Sequence, residues 1–215
     1  MKAFQTRIDE IYTTIATSSA VAFPLNLEDA VRLRPRPKFT SPWRHSRKMK
    51  CAAHVPSPLS EEKGALFRGL HSSAMIKVTR RHIKNGWILI GVEWVVPGCR
   101  IDLVFAKQGR IRVVEVKSAN RIREVDKLQT ALLSAFVDVE EYVVSNGRED
   151  QILDQSFVEQ ALMQADDTHQ FLIGDPSRAL GTYTPHEDVC YTCSSESCPY
   201  HRDRTACQAK ENVLA

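Results

Sequence analysis

Two neighbouring apolar segments that carry charges inside them constrain this chain more than any other feature. Residues 99–118 read CRIDLVFAKQGRIRVVEVKS, and the two apolar runs on either side of KQGR predict a pair of strands joined by a turn. Asp102 lies in the first run, while Glu115 and Lys117 lie in the second. Because a charge in a buried strand is costly unless it is paired or bound to a metal, these residues predict an ionic or functional site.

The period of a β-strand places two of these charges side by side. In IRVVEVK alternate side chains share a face, so Glu115 and Lys117 are predicted to be neighbours at the strand end, with Asp102 within reach. Converging carboxylates bind hard cations such as Mg²⁺ or Mn²⁺. Lys117 would then hold a nucleophilic water or neutralise developing negative charge. The alternative is a carboxylate–lysine ion pair on a half-exposed sheet face.

The order of the predicted elements is that of a mixed α/β domain with one central sheet. The elements are a helix at 61–85 capped by Ser60, strands at 87–96, 99–106 and 111–117, a helix at 121–137, a strand at 140–146 and a helix near 151–165. The Pro-rich, basic residues 31–60 are predicted to be irregular. We expect three parts: an N-terminal helical and basic segment (1–60), a core (61–167) and a cysteine-rich segment (168–215).

Basic residues are concentrated in one segment, although the formal net charge of the chain is only +3. Between Arg32 and Lys50 there is no acid, and Phe39 and Trp43 are interleaved with the cations. This composition suits a phosphate backbone, with rings available to stack on bases. The alternative is a solvated basic linker. The candidate DNA-binding residues are Arg44, Arg47, Lys48 and Lys50.

Membrane insertion and secretion are not expected. No apolar run reaches the roughly 18 residues that a membrane helix needs. At the N-terminus, acids fall where the apolar core of a signal peptide should begin. The sequence therefore predicts a cytoplasmic protein.

The chain has six cysteines, which in a cytosolic protein favour a metal site over disulfides. Three of them are spaced C-x2-C-x4-C in CYTCSSESCPY, namely Cys190, Cys193 and Cys198. The fourth ligand is either the distant Cys51 or the nearby Cys207. Four thiolates suit zinc or an iron–sulfur cluster, and the spacing alone favours zinc.

The spacing of the charged residues resembles that of the PD-(D/E)xK nuclease superfamily, in which an acid on one strand precedes (D/E)-x-K on the next. Asp102 and the triplet Glu115-Val116-Lys117 stand at those positions. The segment GLHSSAM, which contains His71, is similar to the first motif of the RecB-type branch. That motif supplies a histidine ligand.

The predicted roles of His71 and Gln129 depend most on this resemblance. On its helix His71 stacks between Phe67 and Met75, so the residues alone also allow a buried core histidine. Gln129 is similar to the glutamine of the RecB-like Q-x-x-x-Y motif. Leu133 stands where that motif has its tyrosine.

The cysteines extend the resemblance to roughly residues 51–200. A nuclease core with one cysteine before it and three after it is similar to the CRISPR-associated RecB-like exonucleases and to AddB-type nuclease domains. The resemblance implies an iron–sulfur cluster, [4Fe–4S] or [2Fe–2S], that joins the N- and C-terminal segments. Its implied ligands are Cys51, Cys190, Cys193 and Cys198. Closing a loop of roughly 140 residues would stabilise the fold much as a long-loop disulfide does, by about 4–5 kcal/mol.

The resemblance also implies a fold and an activity. The fold is a restriction-endonuclease-like PD-(D/E)xK core, a central mixed sheet flanked by helices, with the cysteine-clasped module attached. The implied catalytic residues are Asp102, Glu115, Lys117 and Gln129. The implied Mn²⁺ or Mg²⁺ ligands are His71, Asp102, Glu115 and the backbone carbonyl of Val116.

The activity implied is that of a metal-dependent nuclease on single-stranded DNA. It is a 5′-to-3′ exonuclease, with endonuclease activity as an option, that processes spacer precursors in CRISPR adaptation. Its implied partners are single-stranded DNA and CRISPR integrase proteins. The chain has no P-loop motif, so we expect it to act without a helicase motor of its own. The alternative is a nucleic-acid-binding or scaffold protein with a structural zinc clasp and an inactive nuclease fold.

Overall fold

The computed structural model describes residues 27–39, 41–58, 60–182, 186–190, 193–194 and 198. In chain order the α-helices are α1 Leu27–Ala30, α2 Pro42–Lys50, α3 Glu61–Lys84, α4 Glu124–Ala131, α5 Gln155–Gly174, α6 Pro176–Gly181 and α7 Glu187–Cys190. The strands are β1 Arg32–Leu33, β2 Ile88–Val96, β3 Cys99–Lys107, β4 Arg110–Lys117, β5 Val137–Asp138, β6 Glu141–Asn146 and β7 Asp150–Ile152. No helix in these ranges combines the length and apolar character needed to cross a bilayer.

Five of the strands form one mixed sheet in the order β2-β3-β4-β6-β7. The first three strands are antiparallel neighbours, β4 and β6 run parallel, and β7 is antiparallel to β6. The parallel step requires a crossover connection, and α4 lies within it. The predicted α/β fold with a mixed central sheet and flanking helices is therefore confirmed.

Helices cover both faces of the sheet. Ala74, Met75 and Val78 of α3 pack against the face that includes Val114 and Val116. The other face, which includes Val113, packs against α4, the short 3-10 turn that follows it and α5. Alternation along β4 thus holds as predicted.

Two tight turns build the antiparallel part of the sheet. Pro97 and Gly98 connect β2 to β3, and Gly98 has a φ of 100°. Gln108 and Gly109 connect β3 to β4, with φ values of 50° and 76°. Positive φ is strained for most residues but open to glycine, so the glycines in these turns permit the predicted meander.

The prediction that residues 31–60 are irregular is wrong for α2. Ser41 caps this helix by accepting a hydrogen bond from the Arg44 N–H at 3.2 Å. Pro42 occupies the first turn, where a missing N–H is harmless. The basic residues in the last turn are favoured by the helix dipole. The helix packs against α4 and α5, which brings the basic segment onto the domain.

Two further boundaries differ from the sequence-based expectation. The helix predicted at 121–137 ends as the 3-10 turn Leu132–Ala135, and β5 then pairs with β1. The helix predicted near 151–165 begins only at Gln155, because Asp150–Ile152 forms an edge strand. That strand is short and mostly exposed, so its sequence carries little apolar alternation.

Candidate active site

Three carboxylates lie at the same level of three adjacent strands. The residues on either side of Glu93 in β2 pair with those on either side of Asp102 in β3. The residue after Asp102 pairs with the residue before Glu115 in β4. All three acids are buried, at 3%, 5% and 5% exposure. Such a row is unfavourable unless cations or hydrogen-bond donors compensate it.

His71 of α3 reaches the row from the side. Its Nε2 lies 3.6 Å from Asp102 Oδ1 and 4.0 Å from Glu93 Oε1. One ligand atom from each of these three residues falls within 4.8 Å of the others. One imidazole nitrogen and two carboxylate oxygens form a donor set that suits Mn²⁺ or Mg²⁺. The chemistry of the residues present therefore fits the divalent cation that the sequence predicts.

The position of His71 follows from how α3 leaves the core. Residues before it on the helix are mostly exposed, including Phe67, whereas Met75 one turn later is fully buried. His71 stands at the boundary and is partly exposed. It faces the carboxylates rather than being enclosed by apolar side chains, which favours the ligand hypothesis over the core-histidine alternative.

Glu93 is a site residue that sequence reasoning missed. It has a φ of 50° within β2, and its Oε2 forms an ion pair with Arg100 Nε at 2.5 Å. The signal was available, because an acid inside the apolar run WILIGVEWVV is as anomalous as Asp102 in the next strand. The resemblance drew attention to the Asp and E-x-K positions and not to this one.

The two predicted catalytic acids differ in protonation behaviour. Burial raises the pKa of Asp102, but hydrogen bonding and charge from His71, the charge of Lys117 and the Val116 N–H outweigh it, so the pKa lies below the ordinary value. For Glu115, burial and the nearby Asp102 raise the pKa above its usual range despite Lys117 and His71. The site thus holds one firmly ionised acid beside one that binds a proton more readily.

Lys117 is fixed by two hydrogen-bond acceptors. Its Nζ donates to Glu115 Oε1 at 2.9 Å and to Gln129 Oε1 at 2.8 Å. Gln129 Nε2 in turn donates to Glu115 Oε1 at 2.5 Å. Asp102 joins this group through the backbone, because its Oδ2 accepts the N–H of Val116, the middle residue of the E-x-K triplet, at 2.8 Å. The structure therefore brings together all four predicted catalytic residues.

These residues open into a cleft of about 570 Å³ that is lined by both predicted site residues and basic side chains. His71, Asp102, Glu115, Lys117 and Gln129 form part of its wall. Its arginines are Arg47, Arg68, Arg100 and Arg123, and its aromatic residues are Trp43 and Phe67. A cleft lined by both carboxylates and basic side chains can bind a phosphodiester together with a cation.

Leu133 stands at the tyrosine position of the RecB-like Q-x-x-x-Y motif, and Tyr142 on β6 is the tyrosine that the sequence offers in its place. Leu133 lines the cleft where the motif places its tyrosine. Tyr142 is buried in the core, and its hydroxyl donates to the carbonyl of Val137 at 2.7 Å. Burial raises the pKa of Tyr142 to about 12. Tyr142 therefore serves as a structural residue and does not replace the motif tyrosine.

The four candidate DNA-binding residues of α2 lie in different environments. Arg44 is exposed, whereas Arg47 is buried and lines the cleft. Lys48 donates to the carbonyl of Ala52 at 2.6 Å, and Lys50 pairs with Glu124 at 2.5 Å.

The interleaved aromatic residues also differ. Phe39, which the sequence offers for base stacking, is 5% exposed and packs on His45 and Phe136. That expectation is wrong for Phe39, because its ring closes the core beneath α2. Trp43 is exposed and lines the cleft.

The segment that contains Cys51 runs beside the C-terminal cysteines. Cys51 packs with Val125 and with Val189, which precedes Cys190 on α7. Pro56 and Cys193 form a β-bridge, and the Ser194 N–H donates to the Val55 carbonyl at 2.8 Å.

Lys48 lies near two of these cysteines. Burial lowers its pKa, and the thiols of Cys51 and Cys193 act in the opposite direction. Cys198 is partly buried, and Cys207 lies outside the described residues. The distant Cys51 thus lies near the segments that carry Cys190 and Cys193, which is compatible with the one-plus-three ligand set.

Comparisons of the chain with models of protein families, with curated proteins and with solved structures found no match. The PD-(D/E)xK resemblance accordingly stays a prediction.

The opposite pKa shifts predict opposite effects of two isosteric substitutions on the metal-free fold. Because the pKa of Glu115 is higher in the folded chain than in the unfolded chain, its ionisation destabilises the fold, and this loss of stability develops as pH rises toward the folded-state pKa. A lowered pKa means that ionised Asp102 stabilises the fold until pH falls through its folded pKa. At neutral pH in EDTA we expect Glu115→Gln to raise the melting temperature and Asp102→Asn to lower it. Each shift should be roughly 2–4 °C, as about 1 kcal/mol produces in a chain of this size.

Differential scanning calorimetry between pH 4 and pH 8 measures both effects. The advantage of Glu115→Gln should shrink toward about pH 4, near the ordinary glutamate pKa, where wild-type Glu115 is neutral as well. Equal loss of stability in both variants at every pH would contradict the assigned directions.

Proposed function

We propose that this chain is a divalent-metal-dependent nuclease of the PD-(D/E)xK type that hydrolyses phosphodiester bonds of single-stranded DNA. The observation that carries the proposal is the cluster of His71, Glu93 and Asp102 beside a lysine anchored by Glu115 and Gln129. All of these residues except the fully buried Glu93 line one cleft. The mixed sheet with helices on both faces is compatible with a restriction-endonuclease-like core. The sequence resemblance favours the same conclusion.

Each residue of the cleft has a chemical task in this proposal. Hydrolysis joins a water oxygen to phosphorus and breaks one P–O ester bond, and the released oxygen takes up a proton from solvent to become a hydroxyl. The attacking water therefore needs a proton acceptor, and the phosphoryl oxygens need positive charge. Glu115, which Lys117 and Gln129 hold in place, accepts the proton. Lys117 lies against Glu115 and supplies positive charge to the phosphate. Gln129 holds both side chains in place.

A divalent cation fits beside this pair. His71, Glu93 and Asp102 would hold it, with Glu115 and the carbonyl of Val116 as further candidate ligands. When bound, the cation lowers the pKa of water and balances the charge of the phosphate. Asp102 is suited to a ligand role because its pKa is lowered, which keeps it ionised at neutral pH.

The biological role rests on the resemblance. A RecB-like nuclease with a one-plus-three cysteine pattern fits the CRISPR-associated exonucleases, which would make trimming of spacer precursors the task and integrase proteins the partners. The iron–sulfur cluster is part of this proposal, supported by the proximity of Cys51 to α7 and to the Cys193 segment. Its role is structural, because it ties the two ends of the described fold together.

Removal of the catalytic charges should abolish cleavage. Asp102→Asn, Glu115→Gln and Lys117→Ala should each lower the rate by roughly 10²-fold or more, since they remove in turn a metal ligand, the proton acceptor and the positive charge at the reacting phosphate. The assay uses single-stranded oligonucleotides labelled at either end, with Mn²⁺, Mg²⁺ or EDTA. Glu159→Gln removes an exposed carboxylate of α5 and should cut like the wild type.

The possible outcomes distinguish a wrong assignment of the site residues from absence of nuclease activity. Wild-type cleavage by Glu115→Gln would show that the site is assigned wrongly. A wild-type protein that cuts no strand with either metal would contradict the nuclease proposal and favour a binding or scaffold role.

Replacement of single cysteines tests the cluster. Cys51→Ser should lose iron and lower the melting temperature, because it removes the ligand that spans the long loop. Cys207→Ser should do neither. Iron, zinc and acid-labile sulfide are measured on both purified variants. Loss of iron in Cys207→Ser with retention in Cys51→Ser would contradict the one-plus-three ligand set, and zinc without sulfide would contradict the cluster itself.

A further inference from the structure

Arg47 is a buried cation in the wall of the cleft that the catalytic group does not use. Its side chain is 4% exposed, and it lines the cleft together with Lys117. Its Nη1 donates to the carbonyl oxygen of Trp43 at 2.9 Å. Its Nε has no hydrogen-bond partner among the residues described. A buried donor without an acceptor is unfavourable, so the site favours an acceptor that arrives with a ligand.

The charges around Arg47 indicate that this ligand is an anion. The nearby Asp126 is already ion-paired with Arg123 at 3.1 Å and approached by Lys117 at 4.0 Å. Within the described ranges no carboxylate forms an ion pair with Arg47. Burial lowers the pKa of Arg47 to about 10, while Asp126 acts in the opposite direction. The guanidinium therefore stays protonated at neutral pH, and this wall of the cleft has an excess of positive charge.

Trp43 adds an aromatic surface beside the cation. The Arg47 guanidinium lies 4.0 Å from the centroid of the Trp43 ring, which is a cation–π distance. The ring nevertheless remains 37% exposed and lines the cleft. The Ser41 cap and Pro42 stiffen the helix turn that carries it. An exposed indole fixed in this way is a surface on which a nucleobase stacks.

We propose that Arg47 and Trp43 form a nucleotide subsite beside the catalytic group. The Arg47 guanidinium binds a backbone phosphate of the nucleic acid, and the Trp43 ring stacks on a base of the same strand. This inference rests on the proposed nuclease function and deepens it, because it assigns the residues that position a nucleotide next to the reacting phosphodiester. A base in a duplex is covered on both faces by its neighbours, so the subsite selects an unpaired strand.

Arg47 is the basic residue of α2 that the subsite uses, and the other cations of this helix lie in different environments. Lys48 and Lys50 are engaged with Ala52 and Glu124, and Arg44 is exposed and lines a different cavity. Arg47 and Arg44 thus offer the same side chain on the same helix, one inside the cleft and one outside it. Arg47→Lys and Arg44→Lys are a matched pair that keeps the charge and removes the guanidinium fork.

The first test uses the wild-type chain in EDTA, so that no strand is cut. Titration with a short oligothymidylate should quench tryptophan fluorescence and protect it from iodide, because Trp43 is exposed while Trp87 is buried and Trp94 is partly buried. A duplex of equal length should do neither. Trp43→Phe keeps an aromatic ring but should lose the fluorescence change, which assigns the signal to this residue. Absence of quenching and of iodide protection in the wild type would overturn the proposal without any variant.

The second test measures the affinity for the same oligonucleotide by fluorescence anisotropy. Arg47→Lys should weaken binding roughly 10-fold, because one bidentate contact is lost, and Arg44→Lys should stay within about 2-fold. Trp43→Ala should weaken binding roughly 5- to 100-fold, as expected for one lost stacking interaction. Trp43→Phe should retain most of the affinity. Thermal melts establish that each variant is folded.

Affinity equal to the wild type in folded Arg47→Lys and Trp43→Ala would overturn the subsite even if the wild type cleaves DNA. Conversely, a wild type that cleaves nothing but shows these binding losses would contradict the nuclease proposal and leave the subsite standing.

Discussion

The burial of three carboxylates at one level of the central sheet is the constraint on which the rest of this structure depends. Glu93, Asp102 and Glu115 occupy adjacent strands and are almost fully shielded from water. Like charges so placed raise each other's cost of ionisation. Cations and hydrogen-bond donors converge on the row and offset this cost, and the surrounding elements supply them.

Each flanking element contributes one part of that compensation. The helix α3 emerges from the core at the point where His71 faces Asp102 and Glu93. The helix α4 supplies Gln129, which ties Glu115 to Lys117. On the strands themselves, Arg100 pairs with Glu93 and the N–H of Val116 supports Asp102. The arrangement that offsets the cost of burial also orients Lys117 and gathers the residues of the proposed cation site.

The sequence predicted the parts of this arrangement that depend on local periodicity. Alternation in β4 put Glu115 beside Lys117, and the glycines in the turns indicated the meander. The order of the apolar segments likewise predicted the mixed sheet, and the Ser60 cap predicted where helix α3 begins. Glu93 was missed although an acid in an apolar run is itself a signal, because the Asp and E-x-K pattern does not include its position and its place in the row depends on cross-strand register.

Tertiary packing decided the remaining features. The basic, Pro-containing segment before Cys51 predicts an irregular chain, yet docking against α4 and α5 stabilises α2. That docking buries Arg47 in the cleft while Arg44 on the same helix stays in solvent. Propensity and charge alone cannot separate two arginines of one helix, because the difference lies in what the helix packs against. The edge strand β7 was also hidden, since its few residues are stabilised mainly by pairing with β6.

Manganese binding, followed by the electron paramagnetic resonance signal of free Mn²⁺ during titration, tests the central claim most directly. The buried row with His71 predicts one saturable site in the wild-type chain. Glu93→Gln should weaken it roughly 10-fold or more, as loss of a ligand or its support does, whereas Glu159→Gln, at an exposed position on α5, should leave it unchanged. Absence of a saturable site in the wild type, or equal affinity in Glu93→Gln, would contradict the assignment of these acids to a metal centre.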